Sequence, residues 1–251
     1  MNARPRDARE GPTPTDYLLS LVFTLGLWSS TLIIVPLTLL TAPLPFRWRY
    51  RFVTVWTRFN LWSLEKTCGL SYRVEGREHI PEHPVIVMSK HQSAWETLSL
   101  QLLFEPQVWV LKRELLWIPV FGWGLAMMRP IAIDRKAGRQ AVGQIVELGT
   151  RRLKEGCWVV IFPEGTRVAP GKRKRYRLGG AVLAQDSGYP VLPVAHNAGE
   201  FWPRRSFLKR RGTIRMVVGP PIESKGRRAE AINRDVETWI EETVAAISGG
   251  S

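Results

Sequence analysis

Cysteine is nearly missing from this chain. Cys68 and Cys157 are the only two in 251 residues. Neither has metal-ligand spacing around it, so a disulfide scaffold is excluded and a reducing compartment fits. Acidic residues are scarce too, 22 against 36 lysines and arginines, which leaves a formal net charge of +14. Such a balance points to an acidic partner: nucleic acid, an anionic membrane surface or a phosphorylated ligand. Histidine occurs four times. His79 and His83 have the i, i+4 spacing of zinc ligands, but Pro81 between them breaks a regular helix and no third ligand is evident. There is no Gly-x-Ser-x-Gly elbow for a serine hydrolase. A P-loop is excluded as well, because five residues separate Gly165 from Gly171 and Arg173 stands where Ser or Thr is required.

Charge is absent from one long stretch, Tyr17 to Leu40, "YLLSLVFTLGLWSSTLIIVPLTLL". As a helix it would extend ~36 Å at ~1.5 Å per residue, enough to cross a ~30 Å hydrocarbon layer. It is too long for a signal-peptide core and lacks a small-x-small cleavage site. Pro36, Pro43 and Pro45 cluster at its far end, where a helix stops or bends. The next segment, "FRWRYRFVTVWTRFNLW", interleaves arginines with aromatic rings and suits the headgroup layer. Eleven tryptophans favour a membrane among the acidic partners. Two geometries stay open, a single span and a helical hairpin in one leaflet. The basic flank Arg47, Arg49, Arg51 and Arg58 outweighs the mixed flank Arg4, Arg6, Arg9, Asp7, Glu10 and Asp16, so both geometries leave the C-terminal part in the cytoplasm.

After the anchor, short β-branched runs alternate with helical stretches. The runs are "HPVIVMSK", "QVWVLKRE", "PIAIDR", "CWVVIFPE", "YPVLPVA" and "GTIRMVVG". Residues 136–155 and 178–187 read as helices, and 228–247 carries Ile232, Val236, Ile240, Val244 and Ile247 on one stripe. The pattern predicts an α/β fold, with a mixed, largely parallel sheet flanked by helices. In such sheets ligands sit beyond the carboxyl ends of strands. Those ends carry His91, Lys112, Asp134–Arg135, Glu164–Arg167 and His196.

Two of these ends carry chemistry. In "HQSAWE", Ser93 and Glu96 have capping-box spacing. The same carboxylate is placed to accept the Nδ1 proton of His91 and leave Nε2 as a general base. In "FPEGTR", a buried strand runs into a sharp turn whose amides and Arg167 suit a phosphate; a surface turn with a solvated basic loop after it is the alternative. "AIDR" reads equally as an exposed strand-end charge pair, Lys112 has the same ambiguity, and His196 ranks second to His91 as a catalytic histidine.

Taken in order, "HQSAWE", "PIAIDR", "FPEGTR" and "PVLPVA" resemble the four sequence blocks of the glycerolipid acyltransferases, and within them the bacterial enzymes that acylate lysophosphatidate. The resemblance covers roughly residues 85–194. The family's first block usually reads His-x4-Asp, and here the acid is Glu96. The resemblance implies transfer of an acyl group from acyl-CoA or acyl carrier protein to the sn-2 hydroxyl of lysophosphatidate, with no bound cofactor. By carry-over His91 and Glu96 are catalytic; Arg167, Gly165, Thr166 and Glu164 bind the phosphate, with Arg135 and Lys112 as helpers. The chain then divides into a basic tail (1–16), a membrane-anchoring segment (17–66) and a catalytic domain (67–251). The expected location is the bacterial cytoplasmic membrane, catalytic side inward; the loop Lys172–Arg177 suits anionic lipid, with an acidic carrier protein or the phosphates of CoA as alternatives. A related acyltransferase using glycerol 3-phosphate or a phosphate-free lyso-lipid is the nearest alternative. A membrane-tethered nucleic-acid module is disfavoured by the lack of any recognition signature.

Overall fold

The computed structural model describes residues 11–249, so the charged flank Arg4–Glu10 lies outside the described residues. The apolar run forms α1, Pro14–Leu40. Thr13 and Asp16 close a capping box at its start and Pro14 occupies the first turn, where no amide is lost. A short proline-bearing turn leads into α2, Phe46–Cys68, which Gly69 ends in a left-handed cap at φ +64°. The two helices lie antiparallel. Trp56 Nε1 donates to Ser30 Oγ at 3.0 Å, and Cys68 Sγ sits 3.7 Å from the Leu19 carbonyl.

The remainder runs β1 (Leu70–Glu75), β2 (Ile86–Ser89), α3 (Trp95–Leu103), β3 (Gln107–Lys112), α4 (Phe121–Met127), β4 (Ile131–Ile133), α5 (Arg139–Lys154), β5 (Trp158–Ile161), α6 (Gly179–Ser187), β6 (Val191–His196), α7 (Ala198–Phe201), β7 (Gly212–Val218) and α8 (Ala229–Ile247). Seven strands form one sheet in the order β1-β7-β6-β2-β5-β3-β4. All pairs are parallel except β6 with β7. Each of the six predicted runs contains a strand; β1 is an additional strand at the sheet edge.

Side chains alternate between two cores, as the period of two requires. Val87 and Val160 face a core built with α2 and α3, where Tyr50, Leu64, Trp95 and Leu100 are buried. Ile86, Met88, Val159 and Ile161 face the other, covered by α5, α6 and α8. The apolar stripe of α8 docks there, with Ile232, Val236 and Ile240 wholly buried.

Helix α1 does not stand away from the rest of the chain. Along α1, Ser20 Oγ accepts from Lys209 N at 3.0 Å, Thr24 Oγ1 accepts from Lys209 Nζ, and Val35 packs on Gly124 of α4. The Lys209 ammonium also lies 5.1–5.3 Å from the ring centres of Phe23, Trp202 and Phe207. The opposite face of α1 is exposed and apolar, with Leu18, Leu25, Trp28, Leu32 and Ile33 uncovered. Trp48, Phe59 and Trp62 of α2, Trp117 before α4 and Trp123 within it are exposed as well. Helix α1 is long and apolar enough to cross a membrane. A patch of this size on a soluble surface marks an interaction with lipid or protein.

Candidate active site

Strands β6, β2, β5, β3 and β4 are mutually parallel neighbours, so their carboxyl ends share one edge. His91 follows β2, and the Glu164–Arg167 turn follows the adjacent β5. The two loops are joined directly: Val168 N donates to the His91 carbonyl at 2.7 Å.

The histidine is tightly placed. Its Nδ1 lies 2.8 Å from Glu96 Oε1, and its ring stacks on Phe162 with centroids 4.0 Å apart. Glu96 is fully buried in the first turn of α3. It also accepts from Gln92 N at 3.0 Å and from Ser93 N at 2.9 and 3.0 Å. Burial alone would push this carboxyl up; His196 and His91 beside it and the Ser93 amide outweigh burial and hold it below the usual range. The carboxylate acceptor fixes Nδ1–H and leaves Nε2 as the lone-pair nitrogen. One carboxylate serves both readings of the sequence, since it caps the loop amides and orients the imidazole. The cap itself differs from the capping box: the N-cap is Ala94, and Ser93 Oγ accepts from Trp95 N at 3.1 Å.

His91, Arg135 and Arg167 line one cavity of about 290 Å³. The remaining wall is mostly apolar, including Ile34 and Val35 of α1, Val53 of α2, Leu98 of α3, Trp109 and Leu111 of β3, Phe121, Gly124 and Leu125 of α4, and Met128 just after it. The cavity therefore joins an imidazole and two guanidinium groups at the strand ends to a greasy trough under α1.

The second loop is built on Gly165, whose φ of +68° suits glycine. Its amide donates to Phe162 O at 2.9 Å, and Arg177 N donates to Pro163 O at 2.9 Å. Arg135 Nη1 donates to the Gly165 carbonyl. Burial, and then repulsion from Arg177, lowers the Arg135 pKa. The Arg167 guanidinium has no ion-pair partner among the described residues and is half-buried. Arg135, Arg167 and Arg177 thus surround this turn with positive charge, a ready anion site. Thr166 is half-buried in the same turn.

Two expected residues stand apart. Lys112 is exposed, paired with Glu114 at 2.9 Å and outside the cavity wall. Glu164 is fully buried and points away from solvent. Its Oε1 lies 3.3 Å from Lys90 Nζ and 3.4 Å from His91 N, while Oε2 has no partner. Burial raises its pKa to about 7 against the pull of Lys90. His196 is fully buried, with Nε2 2.9 Å from the Lys90 carbonyl and Nδ1 accepting from Ala198 N. Burial lowers its pKa against the pull of Glu96, 3.9 Å from its Nε2, and its two backbone contacts make it a hydrogen-bonded core histidine. His79 Nδ1 is 2.9 Å from Val218 O. No metal-binding group of side chains occurs among the described residues.

Residues 71–197 match the family model described as Acyltransferase, about half of the chain. That defines the class. Among individual proteins, the 1-acyl-sn-glycerol-3-phosphate acyltransferase of Pseudomonas aeruginosa is 47% identical over 234 residues, 91% of either chain. The human 1-acyl-sn-glycerol-3-phosphate acyltransferase alpha is 28% identical over 67% of this chain and 61% of its own. The crystal structure of the 1-acyl-sn-glycerophosphate acyltransferase PlsC from Thermotoga maritima superposes with a TM-score of 0.77, covering 94% of this chain and 97% of that one at 23% identity, a likeness of fold. The chain belongs to the 1-acyl-sn-glycerol-3-phosphate acyltransferase family.

Sequence reasoning missed Lys90, Tyr176 and Glu241, which meet behind the site. One signal was present: a lysine closing an otherwise apolar strand run requires a buried counter-charge.

Proposed function

We propose that the protein transfers a fatty acyl group from a thioester, acyl-CoA or acyl carrier protein, to the sn-2 hydroxyl of lysophosphatidate, forming phosphatidate. His91 Nε2 takes the hydroxyl proton as the oxygen attacks the thioester carbonyl. Glu96 fixes the ring and stabilises the imidazolium. Collapse of the tetrahedral intermediate expels the thiolate, which recovers the proton from His91. The thioester is already activated, so no acyl-enzyme is needed. Arg167 and Arg135 hold the acceptor phosphate against the Gly165–Thr166 turn, where a planar guanidinium binds bidentately.

The single observation that supports this reading is the shared cavity. A carboxylate-oriented histidine and an unpaired arginine face the same space, whose other walls are apolar. A lysophospholipid has that sequence of chemistries: a phosphate, a free hydroxyl and a hydrocarbon chain.

Membrane attachment through residues 17–66 belongs to the same proposal. Because α1 touches the catalytic domain from Ser20 to Val35, its bare face suits one leaflet of the cytoplasmic membrane rather than a span. The basic loop Lys172–Arg177 then faces anionic lipid, at ~1 kcal/mol per basic residue near the surface.

The decisive experiment is an acyl-transfer assay on purified protein with labelled acyl-CoA, offering lysophosphatidate, glycerol 3-phosphate and a phosphate-free lyso-lipid in parallel. Transfer to lysophosphatidate alone is expected. Equal use of the phosphate-free acceptor would overturn the phosphate assignment, and preference for glycerol 3-phosphate would move the protein to another acceptor class.

A further inference from the structure

Behind the Glu164–Arg167 turn lies a buried polar cluster that the reaction above does not use. Lys90 directly follows β2, with 1% of its side chain exposed. Its ammonium is 2.5 Å from Glu241 Oε1 on α8 and 3.3 Å from Glu164 Oε1. Glu241 Oε1 also accepts from the buried Tyr176 hydroxyl at 2.9 Å, and Arg173 Nε approaches its Oε2 at 3.7 Å from the solvent side. One buried cation is therefore shared by two carboxylates, held unequally.

Three features argue that this cluster serves the site rather than the fold. A carboxylate on the docked face of α8, next to Ile240, costs more than an apolar side chain would. The cluster is wired to catalytic backbone: Glu164 Oε1 accepts from both Lys90 Nζ and His91 N, and the Lys90 carbonyl accepts from His196. Glu164 Oε2 is left buried and unpartnered, so the position of Lys90 sets how much charge that carboxyl can carry.

We infer that Glu241 is a positioning residue of the active site, acting through Lys90 on Glu164 and so on the charge of the turn that carries Arg167. This rests on assigning that turn to the acceptor phosphate. Glu241 draws Lys90 toward α8 and leaves Glu164 weakly paired, close to neutral. A neutral Glu164 does not repel a phosphate at the turn; an ionised one does. Lys90, just after β2, and His91 face Glu164 directly, and Tyr176 lies within reach of its charge; Glu241 completes the cluster from α8 with Arg173 at its outer oxygen, and Glu237 lies near Tyr176. His196 reaches the cluster only through the Lys90 carbonyl.

The test is the pH dependence of KM for lysophosphatidate, measured with kcat on the full-length protein. In the wild type, KM is expected to rise as pH passes through about 7, where Glu164 ionises. Glu241→Gln frees Lys90 for Glu164 alone, so this break should move down by about one pH unit or more. The kcat plateau should stay within about threefold, because His91 and Glu96 are untouched. Tyr176→Phe removes the second donor to Glu241, leaves that carboxylate to draw Lys90 harder, and should move the break up. Opposite shifts from two substitutions are not what a purely structural cluster gives. If Glu241→Gln does not fold, Tyr176→Phe decides alone. An unmoved break in the folded variants overturns the inference. Arg167→Ala, run alongside, separates the two claims: an unchanged KM there removes the phosphate assignment itself, whereas a raised KM with no shift in Glu241→Gln or Tyr176→Phe removes only the role of Glu241.

Discussion

Replacing Glu96 by glutamine separates the two duties of that carboxylate. The change keeps the shape and removes the charge 2.8 Å from His91 Nδ1. As the acceptor hydroxyl is deprotonated, the imidazole becomes cationic. A full charge ~4 Å from the carboxylate centre is stabilised by ~4 kcal/mol at an effective dielectric of ~20. With half or more of that charge developed in the transition state, the loss is ~2–4 kcal/mol, or about 30- to 1,000-fold in kcat. The amide also turns an NH₂ toward the Gln92 and Ser93 amides, which now point at that carboxylate. Leaving one such donor unpaired costs ~1–3 kcal/mol of stability. Initial rates against lysophosphatidate concentration, with a thermal midpoint on the same samples, read both effects. The expected result is a large fall in kcat, a KM within about threefold, and a midpoint lowered by a few degrees. A folded Glu96→Gln enzyme with kcat within about threefold of wild type would reduce Glu96 to a loop cap and refute the reasoning.

Further outcomes follow from the same geometry. Arg167→Lys should raise KM for lysophosphatidate about tenfold at little change in kcat, since an ammonium loses the bidentate contact; an unchanged KM places the phosphate elsewhere. At Gly124 an added Cβ would meet Val35 Cγ2 at 2.9 Å across the cavity wall. Gly124→Val should therefore shift acyl preference toward shorter chains by about tenfold or more, read by competing acyl-CoA donors of different length; an unaltered profile removes this cavity from acyl binding. Glu164 has a raised native pKa, so its contribution to stability is complete below the unfolded carboxyl value and is lost as pH climbs through about 7. Chemical unfolding between weakly acidic and weakly alkaline pH should show that decline, and Glu164→Gln should flatten it; an equal slope in both proteins contradicts the shift.

The sequence was most legible where physics is local. Continuous β-branched runs flanked by turns located six strands, and the five-residue turn rich in proline marked the boundary between α1 and α2. Strand β1 escaped because it sits at the sheet edge: in "LSYRVE" only Leu70 is buried, so no apolar run marks it. Helix α4 escaped for another reason. Its entry bends through Val120 at φ +63°, and Gly122 packs so close to Leu116 that a Cβ would lie 2.2 Å from that carbonyl. Such a turn reads as irregular chain. His91 and Glu96 were readable together because five residues of one loop and helix turn bring them together. Lys112 closes β3 and Arg135 follows β4 at the same edge, and periodicity alone could not tell them apart. Arg135 reaches across to the Gly165 carbonyl, whereas Lys112 is drawn to Glu114 in its own turn. Glu241 is 151 residues from Lys90 in sequence, and only the docking of α8 makes them neighbours.

The central claim is that His91 supplies the base at a cavity it shares with Arg167. The most direct measurement is turnover by purified His91→Ala with lysophosphatidate and labelled acyl-CoA, alongside equilibrium binding of lysophosphatidate to the same protein. Turnover reduced at least a hundredfold with acceptor binding retained is the predicted result; acyl transfer at near wild-type rate would contradict the account.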